Sequence, residues 1–454
     1  MMRFLDSTEL VSLYPGSAVT GPAQVRDVST DTRTLQPGDA YLALRGANFD
    51  GHDFNQTAHE HGASLLVVDH PDTLPLPQWI VPDTRLALGR LGAHNRQLSS
   101  ASVVALTGSS GKTTTKEILS ALLGACGNTM ATRGNLNNDI GVPKTLLRLA
   151  PEHDYAVVEL GANHVGEIAY TTGLSRPDVA LIINAGSAHL AEFGSVEHIR
   201  AAKGEILQGL DKDGVAVLNQ DDPAYDQWCR AAPGRVISFG SGPQADVTAQ
   251  CVKAEPDRTL VQLSGPDFEH TVTLPLAGAH NVSNLAAAVA VMVALKLPDH
   301  LWLDAIAGIS PVPGRLAPKV IKGWRLIDDA YNANPESARA AIDVLTTAQT
   351  PRILVLGELG ELGQHTEEAM RGIGTYAQQR IDHLWTVGKT AEPASLAFGE
   401  SGRHFNTRAE VISALTALVG QESKGSVLVK GSRSSAMEAV MEALIERLNK
   451  GGSR

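Results

Sequence analysis

Phosphate chemistry is the first thing the residue types suggest. Thr107-Gly108-Ser109-Ser110-Gly111-Lys112-Thr113-Thr114 places two glycines, two serines and a lysine in eight successive positions. Glycines let backbone N–H groups turn inward to cradle phosphate oxygens, and a helix N-terminus adds partial positive charge. Lys112 would reach the β- and γ-phosphates of a nucleotide such as ATP, and the Thr113 hydroxyl would ligate Mg²⁺. Glu159 ends an apolar run, Tyr155–Val158, so its carboxylate falls where ligands bind in an open α/β sheet, and it is a candidate Mg²⁺ ligand. Arg315 follows Val312-Pro313-Gly314, and a guanidinium there is a candidate to stabilise charge on a transferring phosphoryl group.

These groups need a scaffold, and the hydrophobic patterning supplies one. Val103–Leu106 reads as a buried strand, and Ile118, Leu119, Leu122 and Leu123 lie on one face of the helix that Lys112 opens. The usual phosphate loop is G-x-x-x-x-G-K-S/T, but here Leu106 stands at its first position, so the turn is unusually short. Further strands are expected at Val179–Ile183 and Val215–Leu218, with alternation from Val236 to Leu276 predicting an antiparallel patch on one edge of a parallel sheet. Upstream, residues 24–28, 40–44, 65–68 and 79–81 read as short strands, Asn55–His61 as a helix, and Leu86–Leu98 as a helix leading into the phosphate loop. Beyond the Pro-Gly hinge, strands at 326–327, 352–356, 384–387 and 427–429 alternate with helices, a small Rossmann-like unit without G-x-G-x-x-G. The expectation is an α/β chain of three domains: a small α/β domain at 1–83, a central phosphate-loop domain with a mostly parallel sheet at 84–313, and a Rossmann-like domain at 314–454.

Bulk properties fit this. A chain of 454 residues has room for two to four domains. Lys and Arg number 38 against 49 Asp and Glu, a net charge of −11 that argues against nonspecific nucleic-acid or anionic-membrane binding. Cys126, Cys229 and Cys251 are scattered, which fits a reducing cytoplasm and gives no sign of disulfides or of a zinc site. The opening MMRFLDSTEL lacks an apolar signal-peptide core, and the longest apolar run, Leu285–Leu295, is too short to span a bilayer.

Several polar strings are ambiguous as residues alone. Ser29-Thr30-Asp31-Thr32-Arg33 and Leu44-Arg45-Gly46 through His52 suit a pyrophosphate or sugar as well as they suit turns. Gly134-Asn135-Leu136-Asn137-Asn138 marks a loop, and Lys203 reads as a surface lysine. Lys430-Gly431-Ser432-Arg433 could bind a carboxylate or cap a helix.

Taken together, these strings resemble the Mur ligase family, whose loop reads T-G-x-x-G-K-T-T/S. The resemblance extends to G-N-L-N-N-D-I-G-V-P (134–143), G-A-H-N-V-S-N (278–284), D-D-A-Y-N-A-N-P-E-S (328–337) and K-G-S-R (430–433), and is strongest with its D-alanyl-D-alanine-adding branch. It implies an ATP-dependent amide-bond ligase that adds D-alanyl-D-alanine to UDP-N-acetylmuramoyl-tripeptide through an acyl phosphate, in the making of peptidoglycan precursors. By resemblance, Gly108, Ser109, Ser110, Gly111, Lys112, Thr113, Thr114, Asn281, Asn284, Arg315, Asp329, Tyr331 and Asn332 face ATP. Ser29, Thr32, Arg33, Arg45, Gly46, Asn135, Asn137 and Asn138 face the UDP substrate, and Asn334, Glu358, Lys430, Ser432 and Arg433 the dipeptide. His189 and a carbamylated Lys203 join Thr113 and Glu159 as ligands for two Mg²⁺ ions, with Lys112, Lys203, Arg315 and His189 as catalytic groups. The family's G-D-M-x-E-L-G stands here as G-E-L-G-E-L-G, so Glu358 and Leu359 replace Asp and Met and leave the dipeptide's placement open. The partners implied are small molecules handled by a cytoplasmic monomer, without nucleic acid or membrane insertion. A sister ligase adding a single amino acid, a phosphate-loop ATPase or kinase uncoupled from amide formation, and a nonenzymatic nucleotide-binding regulator are the alternatives.

Overall fold

The computed structural model describes residues 5–46, 48–186 and 190–450. Three sheets carry the chain. The first has five strands in the order Ala18–Val19, Gln78–Ile80, Leu65–Val68, Ala40–Leu42, Val28–Ser29. The expected strand at 24–28 is two strands: Gln24–Val25 pairs with Leu5–Asp6, while Val28–Ser29 pairs with Ala40–Tyr41. Exposed Arg26 and Asp27 separate them, so the alternation continues across a change of partner.

The helix Thr84–Leu98 starts where the sequence puts it, with the Asp83 carboxylate accepting the Leu86 N–H at 2.9 Å. Its Ala87, Leu88 and Leu91 pack into the core under the first sheet. Its opposite side lies so close to the helix Gly141–Leu146 that a Cβ on Gly92 would stand 2.9 Å from Pro143 Cα. The helix therefore joins the first sheet to the second.

The central sheet has nine strands. Ser102–Thr107 lies between Tyr155–Glu159 and Val179–Ile182, parallel to both. From Ser102–Thr107 the chain goes first to the edge strand Thr129–Ala131, returns inward to Tyr155–Glu159 between the two, then crosses to the other side of Ser102–Thr107. That reversal leaves a crevice at the C-terminal ends of these strands, the usual ligand position in open α/β sheets. Helices cover both faces: the phosphate-loop helix Lys112–Gly124 and the buried helix Ala279–Ala294 on one, Glu167–Ser175 and Val196–Gly204 on the other. The antiparallel patch is smaller than the alternation suggested. Arg235–Gly240 runs parallel to Val215–Asn219, Val247–Ala254 joins it parallel, and only Val247–Ala254, Thr259–Gly265 and Phe268–Leu274 pair antiparallel. Residues 237–240 are buried throughout, as befits a strand flanked by neighbours on both sides.

The third sheet has six strands in the order Ala317–Ile321, Trp324–Asp329, Gly425–Lys430, Arg352–Leu356, His383–Val387, Gly402–Phe405. All its pairs are parallel except the edge hairpin of Ala317–Ile321 with Trp324–Asp329. Sequence reading missed both edge strands; Ala317–Ile321 is largely solvent-facing and carries Pro318 and Lys319, so it lacks a buried apolar run. No helix among the described residues is long and apolar enough to cross a membrane.

Candidate active site

A cleft of about 820 Å³ opens where the strand ends of the central sheet meet those of the third. Its floor is the turn 108–111 and the first turn of the helix Lys112–Gly124. Gly111 precedes that helix with φ 81°, and an added Cβ would stand 2.4 Å from Asn284 Oδ1, so both backbone conformation and space require glycine. No side chain caps this helix, which leaves its first N–H groups directed at the cleft. Lys112 Nζ donates to the Gly108 carbonyl at 2.6 Å, folding the lysine back over the turn. Desolvation pushes its pKa below the ordinary lysine value, opposed in part by Glu159.

A second clamp on the turn was not singled out from sequence. Ser110 donates its N–H to Asn184 Oδ1 at 2.9 Å, and Asn184 Nδ2 donates to the Ser110 carbonyl at 3.1 Å. Asn184 lies just beyond the strand Val179–Ile182, the same strand-end position that marked Glu159, and that position is the signal that could have found it. Asp222 stiffens the neighbouring loop by accepting the Ala185 N–H at 2.7 Å and the Ala224 N–H at 2.9 Å.

Glu159 is buried at the cleft wall. Asn137 Nδ2 donates to its Oε1 at 2.8 Å, while Oε2 is buried with no hydrogen-bond partner among the described residues. An orphaned carboxylate oxygen beside the Thr113 hydroxyl's cleft suits a hard cation such as Mg²⁺. Lys203, expected on the surface from residue type alone, is 1% exposed with no partner for Nζ among the described residues, and the Phe193 ring centroid lies 5.6 Å away. Burial first, then the charge of Lys112, lowers its pKa to about 7. A buried lysine with that value is available as a neutral amine near neutrality. His189 lies outside the described residues.

The third sheet closes the cleft from above. Arg315 donates to Thr113 Oγ1 at 2.9 Å, and its guanidinium stacks on the Tyr331 ring at 4.4 Å. Asn334 caps the helix Pro335–Thr346 and also donates Nδ2 to Ser110 Oγ at 2.9 Å. Asp329 is buried, with Lys430 Nζ at 2.7 Å from Oδ2 and the Leu316 N–H at 3.2 Å from Oδ1. Burial raises the Asp329 pKa, and Lys430 opposes that rise. Lys430 also donates to the Asn332 carbonyl at 3.0 Å, so its charge is spent on holding this loop. Asn284 and Asn281 bond each other at 3.0 Å on the cleft side of their helix. Nearby His280 is kept neutral, its pKa lowered to about 4 by burial and then by Lys430.

The cleft lining thus includes Ser109, Ser110, Gly111, Lys112, Thr113, Thr114, Asn135, Asn137, Asn138, Glu159, Asn281, Asn284, Arg315, Asp329, Tyr331, Asn332, Asn334, Lys430 and Arg433. Others stay out of it. Glu358 turns away to accept the Thr390 N–H and hydroxyl at 3.0 and 2.9 Å, and Ser432 is buried against Ser434 at 3.1 Å. In the first sheet Ser29 bonds the Asp31 carbonyl at 2.9 Å, Arg33 pairs with Asp31 at 2.7 Å, and Arg45 with Asp50 at 2.9 Å; with Thr32 and Gly46 they lie outside the lining. A link exists all the same: Lys144, just past the Asn135–Asn138 loop, donates to Thr30 Oγ1 at 3.1 Å.

Comparison with known proteins agrees across the chain. Residues 24–96 match the model "Mur ligase family, catalytic domain", 106–292 "Mur ligase middle domain" and 314–433 "Mur ligase, glutamate ligase domain". The chain is 44% identical, over 97% of its own length and 98% of the relative's, to UDP-N-acetylmuramoyl-tripeptide–D-alanyl-D-alanine ligase of Escherichia coli (strain K12). It superposes on a crystal structure of MurF from Acinetobacter baumannii with a TM-score of 0.93 at 39% identity, covering 98% of this chain and 99% of that one. MurF from Thermotoga maritima in complex with ADP gives a TM-score of 0.86 at 28% identity, covering 94% and 99%. With its three domains, its phosphate turn and its near full-length relatives in accord, the chain belongs to the Mur ligase family.

Proposed function

We propose that this chain joins D-alanyl-D-alanine to UDP-N-acetylmuramoyl-tripeptide, converting ATP to ADP and phosphate, in peptidoglycan precursor synthesis. The observation that carries the reading is the contact of Arg315 with Thr113 Oγ1, which sets a guanidinium from the third domain over the phosphate turn. A carboxylate is a poor acylating agent. In this reading the tripeptide's terminal carboxylate attacks the γ-phosphorus, the bond to the β,γ-bridging oxygen breaks, and ADP leaves as the acyl phosphate forms. The dipeptide amine then attacks the acyl carbon, loses its proton, and phosphate leaves. Lys112 and Arg315 neutralise charge on the phosphoryl oxygens, and the turn's N–H groups orient them. Thr113, Glu159, His189 and Lys203 would hold two Mg²⁺, which when bound add further positive charge at the phosphates. Lys203 would serve as its carbamate: the neutral amine adds CO₂ and releases a proton, replacing a buried neutral amine by an anion. Asn281, Asn284, Asp329, Tyr331 and Asn332 would face the nucleotide, the Asn135–Asn138 loop and the 29–46 segment the UDP substrate, and Asn334 and Arg433 the dipeptide. We assign the three domains to 1–83, 84–313 and 314–454, in a monomer acting in the cytoplasm.

The test is phosphate release from ATP with Mg²⁺ and UDP-muramoyl-tripeptide, with and without D-alanyl-D-alanine, scored by product mass. Dipeptide-dependent release with a UDP-pentapeptide product is expected. Release indifferent to the dipeptide, or release only with a shorter UDP-peptide, overturns the reading.

A further inference from the structure

One buried lysine has no part in the phosphate chemistry above. Lys116 stands about one turn after Lys112 on the helix Lys112–Gly124 and is only 2% exposed. Burying an ammonium is costly unless it is paired and hydrogen-bonded. Its Nζ lies 2.8 Å from Glu117 Oε1 and donates to the Thr132 carbonyl at 2.9 Å. The Glu117 side chain is 45% exposed, so that pair lies partly in water and contributes little. The bond to Thr132 is the buried one.

Thr132 directly follows the strand Thr129–Ala131 and is buried too. The ladder between that strand and Tyr155–Glu159 ends at Ala131 and Val157. Past that point Thr132 takes over. Its N–H donates to the Val157 carbonyl at 2.9 Å, and its hydroxyl accepts the Glu159 N–H at 2.9 Å. A side chain thus satisfies a buried backbone donor that the ladder does not reach. A few residues on, the same segment supplies Asn137, whose Nδ2 holds Glu159 Oε1. Backbone and carboxylate of Glu159 are therefore both held from residues 132–137, and the first residue of that segment is held by Lys116. Thr113 and Glu159 line one cleft from different elements, and Lys116 rides on the helix that carries Thr113.

We propose that Lys116 is a positioning residue for the divalent-cation site: through Thr132 it ties the helix that carries Thr113 to the strand end that carries Glu159. The proposal rests on the ligase reading in one respect, that Thr113 and Glu159 hold the cation. Lys116 and Thr132 touch neither cation nor substrate. Their part is to keep the carboxylate in place, as residues behind metal ligands do elsewhere, where their loss typically weakens metal affinity about 10- to 100-fold.

The experiment titrates Mn²⁺, standing in for Mg²⁺, into the full chain with saturating ADP and reads free Mn²⁺ by electron paramagnetic resonance. Mn²⁺ affinity is expected to fall about 10- to 100-fold in Lys116→Met, which keeps the bulk and loses the donor, and in Thr132→Val, which loses the hydroxyl. Thr132→Ser keeps the hydroxyl and should recover the affinity. The double variant should lose about as much as the greater single loss, because both changes break one path. In phosphate release, excess Mg²⁺ should restore the rate of either single variant, which a merely unstable fold would not allow. Thr132→Val carries the test alone if Lys116→Met does not fold. Glu159→Gln separates the two ideas. If it weakens Mn²⁺ binding while Thr132→Val binds as the unaltered chain does, the proposal is overturned and the metal reading stands. If Glu159→Gln itself binds Mn²⁺ unchanged, the metal reading falls and the proposal with it.

Discussion

At the scale of single residues, burial does most of the chemistry. Lys203 is the clearest case, since its amine is buried with no partner among the described residues and its pKa sits at about 7. Only the neutral amine can add CO₂, so the fraction able to be carbamylated grows as pH rises through about 7 and falls below it. Bicarbonate-stimulated activity is therefore expected to fade on the acid side, and labelled bicarbonate should give a carbamate signal lost in Lys203→Ala. Full activity of Lys203→Ala would remove the lysine from the mechanism. Lys112 and Arg315 act on developing phosphoryl charge, so replacing either by alanine should lower kcat by about 100- to 1000-fold. A change confined to KM would make them ground-state binders. Asp329 and Lys430 form a buried pair, and Asp329→Ala leaves Nζ without its counter-charge. The expected loss is about 3–5 kcal/mol of stability in denaturant unfolding, the usual consequence of breaking such a pair from one side.

At the scale of elements, the phosphate turn depends on a helix from a distant part of the chain. Asn284 fills the space that any side chain at Gly111 would need, and the left-handed φ there adds backbone strain for any other residue. Gly111→Ala should cost roughly 1–3 kcal/mol locally and raise KM for ATP, as read from the initial rates of phosphate release. An unchanged KM would mean that the turn relaxes without disturbing phosphate binding. The turn itself was legible because strand, glycines, Lys-Thr and helix are consecutive. The clamp from Asn184 was not, because it spans 74 positions and rests on Val179–Ile182 lying beside Ser102–Thr107.

At the scale of the molecule, the cleft is a meeting of two sheets. Arg315 to Thr113 and Asn334 to Ser110 are links across 202 and 224 positions, and both cross from the third domain to the turn. Gly314, with φ 74°, sits directly before Arg315 and is the expected hinge. Small-angle scattering should show a more compact chain with ATP and both substrates than without them; identical envelopes would count against hinge closure. The sequence by itself determined the α/β class, the turn with Lys112 and Thr113, and the strand end carrying Glu159. Each of these depends on apolar periodicity and turn chemistry within a few residues. Only the tertiary structure decided that Lys203 is buried rather than exposed, that Lys430 is committed to Asp329, that Glu358 turns away from the cleft, and that Asn184 and Asn334 grip Ser110. The reason is physical: a side chain's partners are set by which strands become neighbours and which faces they bury, and that order emerges from packing the whole chain.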